Sequence, residues 1–256
     1  CRRILMYGQL WQKYNLNAED FISGKAPFLV IPNVISESTC ILLSEKIFKN
    51  YKTVPGPGIK NKIGTSLGSY IYEKSKYFSN SKESNEFIEN IFSDVYSPLK
   101  VIRQIISETF QKQISIASEN KMLYSECVIR IHNDGDSVHL HRDNCNFEMP
   151  DYTVSKYKNQ LSAILYLQSP ERGGELTVYD KQWNRYDERS RQPDFGYSFD
   201  LVTDVSHTSI SPIAGSLVLL NPSFYHMVES VYGCKSRVSI GFFFAESSKY
   251  KLSCWT

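Results

Sequence analysis

Tyr124-Ser125-Glu126-Cys127-Val128-Ile129-Arg130-Ile131-His132 runs into Asn133-Asp134-Gly135 at the middle of the chain. The run is short, β-branched and closed by turn formers, which predicts a strand followed by a tight turn. The same grammar repeats downstream, over 162–168, 175–179, 216–220, 226–231 and 237–244, with turn residues such as Arg172-Gly173-Gly174 between the runs. Phe28-Leu29-Val30-Ile31, ahead of Pro32-Asn33, adds one strand far upstream. Between about 35 and 119 the apolar spacing is helical instead. Ser36 is a candidate N-cap, with Glu37 in the first turn, followed by a stripe of Cys40, Leu43, Ile47 and Tyr51 widened by Phe48. Further helices are predicted over 84–92, with Phe87, Ile88 and Ile91 inward, and over 99–113, with Ile102, Ile105, Ile106 and Phe110 inward. Pro55-Gly56-Pro57-Gly58 breaks the chain between the first two.

Many short strands after a helical stretch imply an α+β fold with a double-stranded β-helix (jelly-roll) core, buttressed by N-terminal helices. We expect a single domain over 1–256, mainly helical in 1–122 and jelly-roll in 123–256. Residues 180–211 are polar and long for a loop, as functional loops and lids often are. The net charge of +2 carries no electrostatic footprint for nucleic acid or an anionic membrane, so neither is expected as a partner. Six cysteines, at 1, 40, 127, 145, 234 and 254, form no CxxC and suggest reduced thiols in a cytoplasmic protein. The segment Cys1–Tyr7 is charged, but Gly8 and Gln9 interrupt it too soon for a signal-peptide core. No run of 18 apolar residues occurs. Position 1 is not Met, so the natural chain is expected to begin upstream.

His141-Arg142-Asp143 is the chemical focus. In an extended segment residues i and i+2 point to one side, so an imidazole and a carboxylate can meet one ion. A histidine from a distant strand would complete a two-His-one-carboxylate triad, which leaves open positions on Fe(II) for a chelating co-substrate and O2. His-x-Asp alone is a weak signal. It gains weight from Gly135, six residues earlier, and from His226 far downstream, with Arg237-Val238-Ser239 beginning eleven residues beyond it. Arg237 and Ser239 share one strand face, while Val238, Ile240 and Phe242 make the other apolar. An arginine inside a barrel needs an anion, and a dicarboxylate supplies one through a bidentate contact.

The ordered set Gly135, His141-x-Asp143, Gly173-Gly174-Glu175-Leu176, His226 and Arg237-x-Ser239 resembles the 2-oxoglutarate-dependent Fe(II) dioxygenases. Phe28-Leu29-Val30-Ile31-Pro32-Asn33-Val34-Ile35 is similar to the N-terminal strand of prolyl-hydroxylase-like members. Within the superfamily, 170–179 followed by Trp183-Asn184 most resembles the cyanobacterial carrier-independent alkaloid halogenases and oxygenases, with a weaker likeness around Gly241-Phe242-Phe243. The resemblance implies Fe(II), 2-oxoglutarate and O2, with iron on His141, Asp143 and His226 and the co-substrate on Arg237, helped by Ser239. The halogenases carry Gly where this chain has Asp143, and chloride binds iron in that vacancy. A carboxylate there implies oxygenation, with hydroxylation ahead of desaturation or ring closure. His132 stands where prolyl hydroxylases have the tyrosine of Tyr-x-x-Gly, and Arg237 where many have Lys, which argues against a protein-prolyl substrate.

Other side chains carry weaker expectations. Arg130 and His132 alternate onto one strand face and are candidate substrate contacts. His139 shares the parity of His141; His207 reads as a surface residue, Cys145 as a small buried or half-buried one, and Gly173 and Gly174 as turn formers. Trp183, Tyr186 and Tyr197 are candidates for a lid over an apolar substrate. The expected function is hydroxylation of an aliphatic carbon of a free small molecule in natural-product (alkaloid or toxin) biosynthesis. A peptide or protein hydroxylase and a catalytically silent jelly-roll binding protein are the alternatives.

Overall fold

The computed structural model describes residue 21 and residues 27–50, 61–95 and 97–256. Tyr51, the 55–58 breaker and the N-terminal segment lie outside the described residues. In chain order the principal strands are β1 (Phe28–Ile31), β2 (Gln113–Ile116), β3 (Val128–His132), β4 (Val138–His141), β5 (Lys158–Gln168) and β6 (Leu176–Gln182). They continue as β7 (His207–Ile210), β8 (Leu217–Leu220), β9 (Phe224–Val228), β10 (Arg237–Ser248) and β11 (Lys251–Trp255). The main helices are α1 (Glu37–Asn50), α2 (Lys74–Ile91) and α3 (Pro98–Phe110).

Two sheets carry the fold. The eight-stranded sheet runs β1-β8-β5-β10-β11-β2, with β3 pairing the first half of β10 and the two-residue strand Lys62–Ile63 pairing β3. The four-stranded sheet runs β7-β6-β9-β4. On β10, Val238, Ile240, Phe242 and Phe244 are buried in one large core with Leu43, Ile47, Ile102, Ile106 and Phe110 of the helices. By the two-residue alternation of a strand, Arg237, Ser239 and Gly241 occupy the opposite face. A smaller aromatic core joins Tyr77 and Phe78 of α2 to Tyr124, Tyr152 and Trp255.

The jelly-roll with helical buttresses is the architecture observed, with several differences in detail. Ser36 caps α1, its hydroxyl accepting from the Thr39 N–H at 3.2 Å. Cys40, Leu43 and Ile47 are buried as expected, but Phe48 is 41% exposed because it falls on the face of Ile41, itself 54% exposed. Helix α2 starts ten residues before the predicted 84; Tyr77, Phe78 and Ser81 are buried there, among Lys and Ser residues that hide the stripe. Helix α3 ends at Phe110 because Gln111 turns left-handed (φ 53°), and β2 then begins at Gln113. The described residues up to 122 are therefore less uniformly helical than expected. Residues 124–127 are not strand, and the predicted 226–231 strand lies at Phe224–Val228. Strands β4, β7 and β11 escaped the pattern entirely.

The 180–211 segment is not a structureless loop. It finishes β6 and forms a 3-10 turn over Arg185–Ser190, closed by a reciprocal cap between Asn184 and Asp187. A second turn spans Phe199–Leu201, and the segment ends in the edge strand β7. Cys40, Cys127, Cys145 and Cys254 are free and buried, and Cys234 is free and exposed. No helix among the described residues is long and apolar enough to cross a membrane.

Candidate active site

His226 on β9 lies directly opposite His141 on β4 in antiparallel register. Directly opposed residues share a sheet face, and the two ring centroids are 4.2 Å apart. Asp143 lies two residues past His141, tied down by its backbone N–H donating to the Pro222 carbonyl at 2.9 Å. The ligand atoms of His141, Asp143 and His226 all lie within 4.8 Å of one another.

The hydrogen bonding of the rings decides what this cluster wants. Nδ1 of His141 donates to the His139 carbonyl at 2.7 Å, and Nδ1 of His226 donates to the Phe224 carbonyl at 2.8 Å. A carbonyl only accepts, so the proton of each neutral imidazole sits on Nδ1 and the Nε2 lone pair is free. His226 Nε2 faces Asp143 Oδ2 at 3.5 Å. Burial, followed by the neighbouring His226, holds His141 down at about 4. Burial alone would raise Asp143, but the adjoining His226 and His141 rings, which favour the carboxylate whenever they take up a second proton, and the charge of Arg130 outweigh it and hold the carboxyl at about 2. Two lone pairs and a carboxylate thus converge with no donor between them, and that donor set suits a divalent cation.

Arg237 and Ser239 point to the same side of the large sheet. Arg237 is 2% exposed and Ser239 is buried beside it, its hydroxyl accepting from Nη1 at 3.4 Å. Arg237 Nη1 also donates to Nδ1 of His132 at 3.3 Å, and the guanidinium lies 5.0 Å from the centre of the Tyr166 ring. Burial, then the charges of Arg237 and Arg130, push His132 down to about 3, so it is neutral. Three buried polar atoms here have no hydrogen-bond partner: Arg237 Nε, His132 Nε2 and the Tyr166 hydroxyl. Buried polar groups are rarely left unpaired, and this cluster around a cation fits a carboxylate. Gly174 makes room for it; a Cβ there would lie 2.9 Å from Arg237 Cδ, and its φ of 72° excludes most side chains.

The remaining expected residues separate. Arg130 is on the same face as Ser239, its register partner. His139 and His207 are exposed, and His139 contributes its carbonyl instead of its ring. The expected lid of Trp183, Tyr186 and Tyr197 is not what these residues form. Tyr186 is 77% exposed, while Trp183 and Tyr197 pack outside the small sheet with Leu140, Tyr179, Val202 and Tyr225. Leu140 and Arg142 have the opposite parity to His141 and Asp143, so the outer face of β4 is what the segment covers.

Sequence reasoning missed the hub of that cover. Arg142, whose side chain is fully buried, stacks 4.4 Å from the centre of the Trp183 ring. It donates to Glu188 at 3.1 Å and lies 3.1 Å from Glu148 as an ion pair. Glu188 also accepts from Trp183 Nε1 at 2.7 Å and the Tyr197 hydroxyl at 2.5 Å. From the same segment, Phe195 reaches the site side, 5.2 Å from the His141 ring centre. Tyr166 was also missed; its register opposite Ser239 is the signal that would have found it.

The profile of the family described as carrier-protein-independent halogenase WelO5 matches residues 11–256. The chain belongs to that family. Two curated relatives resemble this WelO5-family chain at 28% identity. Leucinostatins biosynthesis cluster protein S of Purpureocillium lilacinum aligns over 62% of this chain and 67% of its own length. The L-gamma-glutamyl-L-propargylglycine hydroxylase of Streptantibioticus cattleyicolor aligns over 50% of this chain, and the chain spans only 47% of that hydroxylase. Among solved structures, an N-substituted L-amino acid dioxygenase from Burkholderia ambifaria AMMD superimposes with a TM-score of 0.66 at 10% identity, covering 93% of this chain and 90% of that one. HygX from Streptomyces hygroscopicus, solved with nickel and 2-oxoglutarate, gives 0.52 at 11% identity over 95% and 88%. At such identities the structures speak for the jelly-roll fold. With the family membership, they make the chain a member of the 2-oxoglutarate/Fe(II) dioxygenase superfamily.

Proposed function

We propose that this enzyme hydroxylates an aliphatic carbon of a free small molecule in natural-product biosynthesis, with Fe(II) on His141, Asp143 and His226. The observation that carries this is the convergence of two Nε2 lone pairs and the Asp143 carboxylate within 4.8 Å, with each Nδ1 committed to a carbonyl. Arg237 would hold the distal carboxylate of 2-oxoglutarate, with Ser239, His132 and Tyr166 completing the cradle; their unpartnered atoms support this. The two relatives named for natural-product biosynthesis and hydroxylation point the same way. Free buried thiols suit a cytoplasmic enzyme.

When bound together, iron and 2-oxoglutarate use O2 to give succinate, CO2 and a hydroxylated substrate, one oxygen atom going to each organic product. This chain's residues set the conditions. Neutral His141 and ionised Asp143 present lone pairs and a negative charge without needing to lose protons first. The carbonyls of His139 and Phe224 fix the ring orientations. Arg237 would orient the co-substrate through its distal carboxylate, and the carboxylate of Asp143 would fill the position a halide would need. Hydroxylation therefore fits better than halogenation. Fe(II)-dependent succinate release, stimulated by a substrate whose product gains one 18O atom from 18O2, is the expected result. A chloride-dependent chlorinated product would overturn the assignment.

A further inference from the structure

One charged cluster at the site is not absorbed by the iron and the co-substrate. Arg130 on β3 lies between Ser239 of β10 and Lys62 in register, so Lys62, Arg130, Ser239 and Tyr166 form one row across the sheet face. The Arg130 guanidinium extends over Gly241; a Cβ added at that glycine would meet Nη1 at 3.3 Å. Arg130 and Lys62 are cross-strand neighbours of like charge, an arrangement that is destabilising unless an anion comes between or beside them. Lys62 donates to the hydroxyls of Ser66 and Ser69 at 3.2 Å each, and neither neutralises it. Among the described residues Arg130 has no ion-pair partner; Asp143 is the carboxylate whose charge acts on it.

The charges at this face do not balance. Lys62, Arg130 and Arg237 bring three positive charges and Asp143 one negative charge. Fe(II) and 2-oxoglutarate, with two charges each of opposite sign, cancel one another. Two positive charges remain, on side chains that are partly buried at the sheet face, where an uncompensated cation is costly. Arg237 would meet the distal carboxylate of 2-oxoglutarate, so the unmatched charge centres on Arg130 and its neighbour Lys62.

We propose that Arg130, backed by Lys62, is a second carboxylate-binding position, and that the substrate is a carboxylic acid whose carboxylate binds there while its carbon chain faces the triad. The assignment rests on Arg237 being the anchor for 2-oxoglutarate. A planar guanidinium gives the two parallel bonds that a carboxylate accepts and a neutral amide cannot reproduce, so Arg130 would select acids over their amides. Arg130 lies beside Ser239 and Tyr166 but two residues from Arg237 along the paired strands, so the two guanidiniums would meet different carboxylates.

The test is calorimetric, on protein loaded with Ni(II) and saturated with 2-oxoglutarate. Propionate, hexanoate and N-acetyl-L-leucine are titrated against their primary amides. At least one acid is expected to bind about tenfold or more tighter than its amide. Arg130→Gln should abolish that preference while changing 2-oxoglutarate affinity by less than about threefold, and Arg130→Lys should retain part of it. Should Arg130→Gln fail to fold by circular dichroism, Lys62→Met carries the test and should cut the preference severalfold. The proposal is overturned if no acid outbinds its amide, if the preference survives these substitutions, or if Arg130→Gln chiefly weakens 2-oxoglutarate. Loss of 2-oxoglutarate binding by the wild-type protein would instead defeat the functional proposal on which this one rests.

Discussion

At the scale of single residues, the site is a set of unmatched lone pairs and unmatched cations, and each has a distinct consequence when removed. Arg237→Gln deletes a charge-assisted contact worth about 1.5–3 kcal/mol. It should raise the dissociation constant of 2-oxoglutarate roughly tenfold to a hundredfold while iron binding, read by metal analysis, stays as in wild type. Tyr166→Phe removes a neutral donor and should cost less, about threefold to tenfold in the same titration. An unchanged affinity in both would move the co-substrate elsewhere. The histidines, Asp143 and Arg237 were legible in the sequence because their order and spacing are chemically restrictive. Tyr166 was not, since nothing in 162–168 distinguishes a tyrosine facing the pocket from one facing the core until the register with Ser239 is known. Arg142 was hidden for the opposite reason: flanked by two proposed ligands, it reads as a spacer.

At the scale of elements, β4 has two working faces. His141 faces His226 and the proposed metal site, and Arg142 fixes the outer cover through Trp183, Tyr197 and Glu188. Glu188 is held at about 2, because hydrogen bonds from Tyr197, Trp183, Arg142 and Arg191 outweigh its burial. The sign follows from the depressed value. The contribution is fully present above the unfolded carboxyl value of 4.5 and is lost as pH falls towards about 2. Hydrogen exchange of residues 183–205 should therefore accelerate as pH drops through that window, after correction for intrinsic rates, and Glu188→Gln should flatten the dependence. Arg142→Met removes the buried cation from Glu148 and Glu188, leaving them only the exposed Arg191, and should destabilise the protein by about 3 kcal/mol in denaturant titration. Gly174→Ala forces a left-handed side chain against Arg237 and should cost about 1–2 kcal/mol, with weaker 2-oxoglutarate binding. The 180–211 segment was legible as something other than an ordinary loop, but its destination was not. Its aromatic residues suit a lid or a sheet cover equally well until Arg142 is seen beneath them.

At the scale of the whole molecule, the helices and the large sheet make the core, and the small sheet brings two distant histidines into register. The alternation of β10 and the α1 stripe made that architecture readable. Strands β4 and β7 were not, because Val138-His139-Leu140-His141 and His207-Thr208-Ser209-Ile210 are edge strands rich in polar residues. Ligands that bind only the folded state stabilise it, by about 2.7 kcal/mol at a hundredfold excess over the dissociation constant. For a chain of this size that corresponds to a rise of roughly 5–10 °C in Tm when Fe(II) and 2-oxoglutarate are added together. Anaerobic titration of the metal-free protein with Fe(II) and then 2-oxoglutarate, followed by the visible charge-transfer band of the chelate, is the most direct test of the metal and co-substrate assignment. The band should saturate at stoichiometric iron in the wild type and be absent in folded His226→Ala. Its absence from the wild type, or its full retention in His226→Ala, would contradict the assignment.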